Sequence, residues 1–237
     1  MPLRLGPNRD IINRKGAEKM RDFPLFTTDY GISSLTLREI PYRQLAYICI
    51  RDVQPEGFEE HLKECVSFCV MAGAEHVYAS GHNLLEHYPL YTAVLEMQRE
   101  ASPDREKMAS IFPVTEATAG RWRQLYNERM KNVDNARTLE ARDEKQLTDS
   151  SGAYFVHENG ELLGIGWLDG DRILAVASVR HGAGERVMHT LISAVDAETV
   201  KLEVASTNRQ AMRLYERMGF VSVREISRWY CVHPAQK

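Results

Sequence analysis

Cysteine is scarce: four in 237 residues. That is too few for a disulfide framework and makes a reducing cytoplasm the expected compartment. No apolar run approaches the length that crosses a bilayer. The opening residues, MPLRLGPNRDIINRKG, lack the apolar stretch of a secretion signal and read as an irregular tail. Positive charge is not in surplus: the formal net charge is −3, which leaves no electrostatic footprint for nucleic acid. Two phosphate-binding signatures are also missing at the most suggestive glycine turn, Gly182-Ala183-Gly184. No Lys-Ser/Thr follows it, which excludes a Walker loop there. No third glycine sits three residues on, which excludes the dinucleotide fingerprint.

What is present is ordinary soluble composition, 43% hydrophobic and 27% charged, in a chain long enough for one large or two small domains. The most informative stretch runs from Asp171 to Phe220. Ile173 to Val179 is apolar, rich in β-branched residues and too short for a stable helix, so it reads as a buried strand. The glycine turn follows. Glu185 to Val195 then places Val187, Met188, Leu191, Ile192 and Val195 at helical spacing. A glycine turn between a strand and a helix start can hold phosphate. The first amides of a helix lack partners, the peptide dipoles favour an anion, and glycine lets the main chain approach closely. Lys201 to Ser206 alternates as a strand, with Leu202 and Val204 on one face and Glu203 and Ala205 on the other. Asn208, Ala211 and Tyr215 follow at i, i+3 and i+7 on one helix face.

The segment LEVASTNRQAMRLYERMGF resembles the closing motif of the GCN5-related N-acetyltransferases, above all the branch that acetylates protein N-termini. The glycine turn resembles that family's acyl-CoA pyrophosphate loop. The likeness covers roughly residues 110–232. It implies a mixed α+β fold: a central, mostly antiparallel sheet flanked by helices. It also implies acetyl-CoA as co-substrate, no metal, and direct transfer to a primary amine on a small molecule or peptide. By the same resemblance, the main chain of Arg180, His181, Gly182, Ala183, Gly184 and Glu185 would hold the pyrophosphate. The strand end Val176, Ala177 and Ser178 would pair with the pantetheine arm, and Asn208 would bond it. Tyr215 would be the acid toward the leaving thiolate. Glu203, twelve residues before it, would be the base.

Simpler readings stand beside these. Tyr215 can be a core tyrosine, Glu203 a solvated or ion-paired strand residue, Gly182 and Gly184 turn formers, and Asn208 a helix cap. Arg180, Arg209 and Arg213 can meet phosphate or be surface charge. The sequence departs from the family in two ways. The run from strand to first glycine is about two residues shorter, and Val179 stands where Gln or Arg is common. A non-catalytic acyl-CoA-binding module is therefore the alternative reading.

The rest of the chain supplies a frame. Gly31 to Ile40 reads as a strand with Ile32, Leu35 and Leu37 inward. Leu45 to Val53 is a second strand. Phe58 to Ala72 is a helix with a stripe of Phe58, Leu62, Cys65, Val66, Cys69 and Val70, capped by Gly73. Glu75 to Ala79 and Leu90 to Gln98 are further strands, with a brief helix or turn at Asn83 to His87. This order echoes part of the acetyltransferase domain without its glycine turn. Residues 1–104 are thus expected to form a partial copy, and 105–237 the working domain. In the latter, Ile111 to Val114 opens the domain and Thr118 to Met130 is a helix. Asn135 is expected to cap a second helix to Leu147. Tyr154 to His157 and Leu162 to Leu168 form a hairpin. Cys65, Cys69, His82 and His87 match a zinc-finger spacing, but both cysteines fall on a helix stripe, so buried thiols are expected instead. His61 and His76 read as surface residues.

Overall fold

The computed structural model describes residues 24–101, 109–149 and 152–235. They form two compact units. The expected domain boundary at 104/105 lies outside the described residues.

One unit holds β1 (Leu25–Thr27), β2 (Gly31–Thr36), the single turn α1 (Ile40–Arg43), β3 (Leu45–Val53), α2 (Phe58–Met71), β4 (His76–Ser80) and the start of β5 (Leu90–Glu100). A 3₁₀ turn covers Asn83–His87. β1, β2 and β3 pair antiparallel, and β4 lies parallel to β3. α2 lays Phe58, Leu62, Cys65 and Cys69 onto Ile48, Val77 and Ala79. The outer members of the expected stripe and strand face water: Val70 is 40% exposed and Ile32 is 38% exposed. Ile32 sits next to an irregularity in the β2–β3 register, which turns the strand's alternation. Gly73 ends the helix at φ +101°, a conformation that favours glycine.

His61 corrects the expectation of a surface residue. It is fully buried on α2, with Nδ1 2.7 Å from Thr28 Oγ1 and Nε2 2.7 Å from Ser33 Oγ. Polar neighbours on β2 and its lead-in make a histidine tolerable at a core position. Burial pushes Cys65 up to about 11 and Cys69 to about 12, so both are protonated thiols at neutral pH. Among the described residues no group of three or more His, Cys, Asp or Glu side chains is placed to hold a metal ion. Nor is any described helix long and apolar enough to span a membrane.

The other unit adds β6 (Ser110–Pro113), α3 (Glu116–Met130), α4 (Glu144–Asp149), β7 (Ala153–Glu158), β8 (Glu161–Asp169), β9 (Arg172–Ser178), α5 (Gly184–Ser193), β10 (Thr199–Ala205), α6 (Arg209–Arg217) and the first residues of β11 (Val221–His233). Its strand order is β11-β5-β10-β9-β8-β7-β6. Only β9 and β10 run parallel among the aligned pairs. The β7–β8 hairpin turns through Asn159 and Gly160, both at positive φ, as a two-residue turn of this hand requires. One sheet face is covered by α5 and α6 through Val187, Met188, Leu191, Tyr215 and Phe220. The other is covered by α3 and α4 through Trp122, Leu125, Tyr126 and Leu147.

One expectation fails here. Residues from Asn135 onward do not continue as helix. Asn135 stands at φ +58°, a left-handed conformation that no helix interior accommodates. The cap of the short helical segment is Glu140, whose side chain and Asp143 exchange capping bonds. From Ile226 onward β11 groups with the first unit, where Tyr230 and Cys231 pair with Ala79 and Tyr78 on β4.

Two β8 glycines set the height of α5. A Cβ on Gly166 would meet Leu191 Cδ2 at 2.3 Å, and one on Gly164 would meet Val187 Cγ2 at 2.7 Å. Gly166→Ala is expected to lower stability by about 1–3 kcal/mol through overpacking, as read by chemical denaturation. For His61, burial outweighs the nearby Glu64 carboxylate and lowers the imidazole pKa. The unfolded chain therefore binds this proton more readily, and stability is lost as pH falls through the unfolded value of about 6.5. Between about pH 7.5 and 5.5, above the carboxylate range, one such group contributes a slope of at most ~1.4 kcal/mol per pH unit. Denaturation midpoints should fall across that window, and His61→Gln should flatten the fall.

Candidate acyl-CoA site

The site begins with an irregularity in β9. Trp167 and Leu168 on β8 face Ala175 and Ile173, so Leu174 is an extra residue without a ladder partner. Such a bulge bends the strand and increases its twist. The parallel pairing of β9 with β10 stops at the same point: its aligned pairs are Arg172 with Lys201 and Ile173 with Leu202. Beyond it β9 stays with β8 as far as Ser178, while β10 stays with β5 as far as Ala205. The two strands open like a V. Along Leu174 to Ser178, the β9 edge toward β10 has no strand partner among the described residues. That edge carries Val176, Ala177 and Ser178, the residues expected to face pantetheine.

The chain leaves β9 into the glycine turn under tight control. Val179 and Arg180 both donate their amides to Leu163 O, and Arg129 Nη2 on α3 holds Val179 O at 2.9 Å. Ala183 N reaches back to Arg180 O, and Gly182 sits at φ +79°. The amides of Arg180 and Ala183 are thus spent within the protein. Those of His181, Gly182, Gly184, Glu185 and Arg186 have no protein acceptor among the described residues. They gather at the N-terminus of α5, where the helix dipole adds to their pull on an anion. A Cβ on Gly182 would meet nothing within 4 Å, whereas one on Gly184 would lie 3.5 Å from Leu214 Cδ2 of α6. The turn therefore faces open space on one side and α6 on the other. The Arg180 guanidinium is paired with Glu161, both more than half exposed. Such a pair contributes little and can exchange partners.

Across the opening, Asn208 caps α6: its Oδ1 accepts from Ala211 N at 3.2 Å. Tyr215 lies one face further along, its ring packed against Phe220 at 5.9 Å between centroids. It is 8% exposed, and burial pushes its phenol up to about 12. The hydroxyl has no hydrogen-bond partner among the described residues. Behind the end of β10, Thr207 Oγ1 bonds Asp134 Oδ2 at 2.5 Å, which brings the α3–α4 connection to the opening. The next residue, Asn135, is buried with neither side-chain amide atom bonded.

Glu203 projects from the other sheet face. It lies directly across from Glu96 on β5. Arg172 joins them, Nη1 to Glu203 at 3.2 Å and Nη2 to Glu96 at 2.6 Å. Arg224 of β11 forks onto Glu96 with Nε at 2.9 Å and Nη2 at 3.1 Å. Burial would raise the Glu96 carboxyl, but the bonds from Arg224 and Arg172 outweigh it and hold it at about 2. Nothing in the sequence marks Glu96, Arg172 and Arg224 as companions of Glu203. Only the strand register, which a sequence does not display, brings them beside Glu203.

Residues 119–220, which hold the open strand pair, the glycine turn and the N-terminus of α5, match the model of the Acetyltransferase (GNAT) family. No curated protein matches the sequence. The fold is similar to a GCN5-related N-acetyltransferase from Sphaerobacter thermophilus (13% identity, 87% of this chain and 78% of that one, TM-score 0.53). It is also similar to a functionally unknown conserved protein from Staphylococcus epidermidis (14%, 89% and 93%, TM-score 0.53). A third likeness is to a tandem GNAT protein from the clavulanic acid biosynthesis pathway (12%, 91% and 85%, TM-score 0.51). At these identities the likeness is one of fold.

The first unit repeats the strand–helix–strand order in β3, α2 and β4 without the opening. β3 and β4 stay aligned over five residue pairs, from Leu45 with His76 to Cys49 with Ser80. A Cβ on Gly81 would already strike Ile50 O at 2.4 Å. Isothermal titration with CoA is expected to give one site per chain; a stoichiometry of two would place a second site in this unit.

Proposed function

We propose that the protein is an acetyl-CoA-dependent N-acetyltransferase that moves the acetyl group to a primary amine by direct attack in a ternary complex. The observation that carries this reading is the opening between β9 and β10, which ends at the unpartnered amides of the glycine turn. The turn takes the pyrophosphate, the free edge of β9 pairs with pantetheine, and Asn208 sits where the arm would pass. The acetyl group then lies in the opening. A main-chain N–H of β9 faces the carbonyl oxygen as negative charge develops on it, where a fixed donor lowers the barrier most.

The amine must arrive neutral. The Glu203 carboxylate takes the ammonium proton, directly or through water. The nitrogen attacks the carbonyl carbon, the N–C bond forms, the C–S bond breaks and the thiolate leaves, while the nitrogen gives up its surplus proton to water to become the neutral amide. Tyr215 supplies the thiolate's proton and recovers its own from solvent. A phenol at about 12 stays protonated at neutral pH. Against an ordinary thiol near 8.5 the transfer is uphill by roughly 5 kcal/mol. Desolvation raises the thiolate's affinity for a proton in the same way as the phenolate's, which narrows the gap.

A second reading, an acyl-CoA-binding module without turnover, is favoured by two observations: the hold of Arg172 on Glu203, and the place of Tyr215 in the core. Thiol release from acetyl-CoA with a panel of amines separates the two. The enzyme reading expects turnover with at least one amine; binding of acetyl-CoA without any turnover supports the module. Tyr215→Phe is expected to lower kcat by roughly 10²-fold or more, the scale of general acid catalysis, with little change in acetyl-CoA affinity. Unchanged kcat would remove Tyr215 from the mechanism.

A further inference from the structure

A cluster of paired charges near the opening lies on the sheet face away from α5 and α6. It forms a row across four neighbouring strands: Arg172 on β9, Glu203 on β10, Glu96 on β5 and Arg224 on β11. We propose that this row selects an acceptor bearing a carboxylate beside its primary amine, a free α-amino acid, with the carboxylate on Arg224 and the amine at Glu203. The proposal deepens the N-acetyltransferase reading and rests on it.

Position is the first argument. Glu203 is the first residue of β10 beyond its last aligned pair with β9. Its carboxylate therefore lies where the opening begins and an acyl carbon would be presented.

Charge balance is the second. Two guanidiniums match two carboxylates, so the row has no surplus negative charge to attract a polyamine. It can instead take a ligand that is itself balanced, with each end meeting its opposite.

The third argument is the state of each group. Glu96 is 5% exposed and accepts from both arginines, so it acts as a fixed post. Arg224 uses Nε and Nη2 on that post, while about half of its side chain remains exposed. Its Nη1 has no partner among the described residues. A guanidinium held on one edge presents the other as a ready fork for a second carboxylate. Charge networks of this kind are weak devices for stability, and one located at a reaction centre suits recognition better.

Reach is the fourth. β10 and β11 are two strand spacings apart, about 4.8 Å each, with β5 between them. Arg224 extends back over one spacing to Glu96. Its guanidinium thus ends about one spacing, ~5 Å, from Glu203, close enough for Glu203 to add to the upward shift of its pKa. An amine and a carboxylate on one carbon, each with a hydrogen bond, are long enough to reach across that span when bent over the row.

The test measures thiol release from acetyl-CoA with free α-amino acids, the corresponding amino-acid amides and spermidine. Titration of acetyl-CoA alone runs in parallel. The acids are expected to exceed their amides in kcat/KM by roughly tenfold or more, the value of one charged hydrogen-bond pair. In Arg224→Gln that preference should collapse through KM while acetyl-CoA affinity holds. Arg224→Lys, which keeps the charge and loses the fork, should fall between. Amides or spermidine turning over as well as the acids would overturn the acceptor class and leave the acetyltransferase reading standing. Binding of acetyl-CoA with turnover of no amine would overturn both.

Discussion

The candidate site depends on a ladder that stops. Parallel strands in a packed sheet ordinarily keep their hydrogen bonds, because an unpaired main-chain group removed from water costs as much as a lost bond. β9 and β10 part after Ile173 and Leu202, where the extra residue Leu174 bends β9 away. Each strand keeps its outer neighbour, so the sheet survives the break. What remains between them is a row of main-chain groups in search of a partner. A pantetheine arm, with its own two amides, is a partner of matching chemistry. The closed pair β3 and β4 shows the contrast within one chain: the same order of elements, fully aligned, leaves nothing to offer.

The opening is held in shape from both faces. On one side, Gly164 and Gly166 let α5 settle close to β8, which fixes the turn at its N-terminus. On the other, Arg129 of α3 holds the carbonyl at which the turn begins. The glycine-turn end of the candidate site is thus set by packing and main-chain bonds. The Glu203 end is set by ions: Glu203 is fixed through Arg172, which is fixed by Glu96. The two ends differ in how they respond to their surroundings. Packing is indifferent to salt, whereas ion pairs that keep some exposure, as Arg172 with Glu203 does, feel it in part.

Much of the fold was legible from residue order. β3 spans the expected Leu45–Val53, and the α5 stripe of Val187, Met188, Leu191 and Ile192 is buried as its spacing requires. Periodicity reads these well because burial on one face dictates it. The failures share a cause. Asn135 was read as a helix cap by residue type, but its backbone is left-handed and the helix starts later. Ile32 was placed inward by alternation, which a register shift overrides. His61 was placed outward by type, but partners 33 and 28 residues away make it a core residue. The turn ahead of α5 and the places of Asn208 and Tyr215 on α6 were legible because their spacing is local. The bulge at Leu174 and the companions of Glu203 were not, since both are properties of how distant strands align.

β11 contributes its first residues to one unit and the rest, from Ile226, to the other. The unit that begins earlier along the chain therefore obtains the strand beside β4 only after the whole of the second unit has been synthesised. Until then the β4 edge stands as an open template for any passing strand. On the ribosome, the part that emerges first is the part that finishes last, and a chaperone guarding that edge would have to wait for more than a hundred residues to appear.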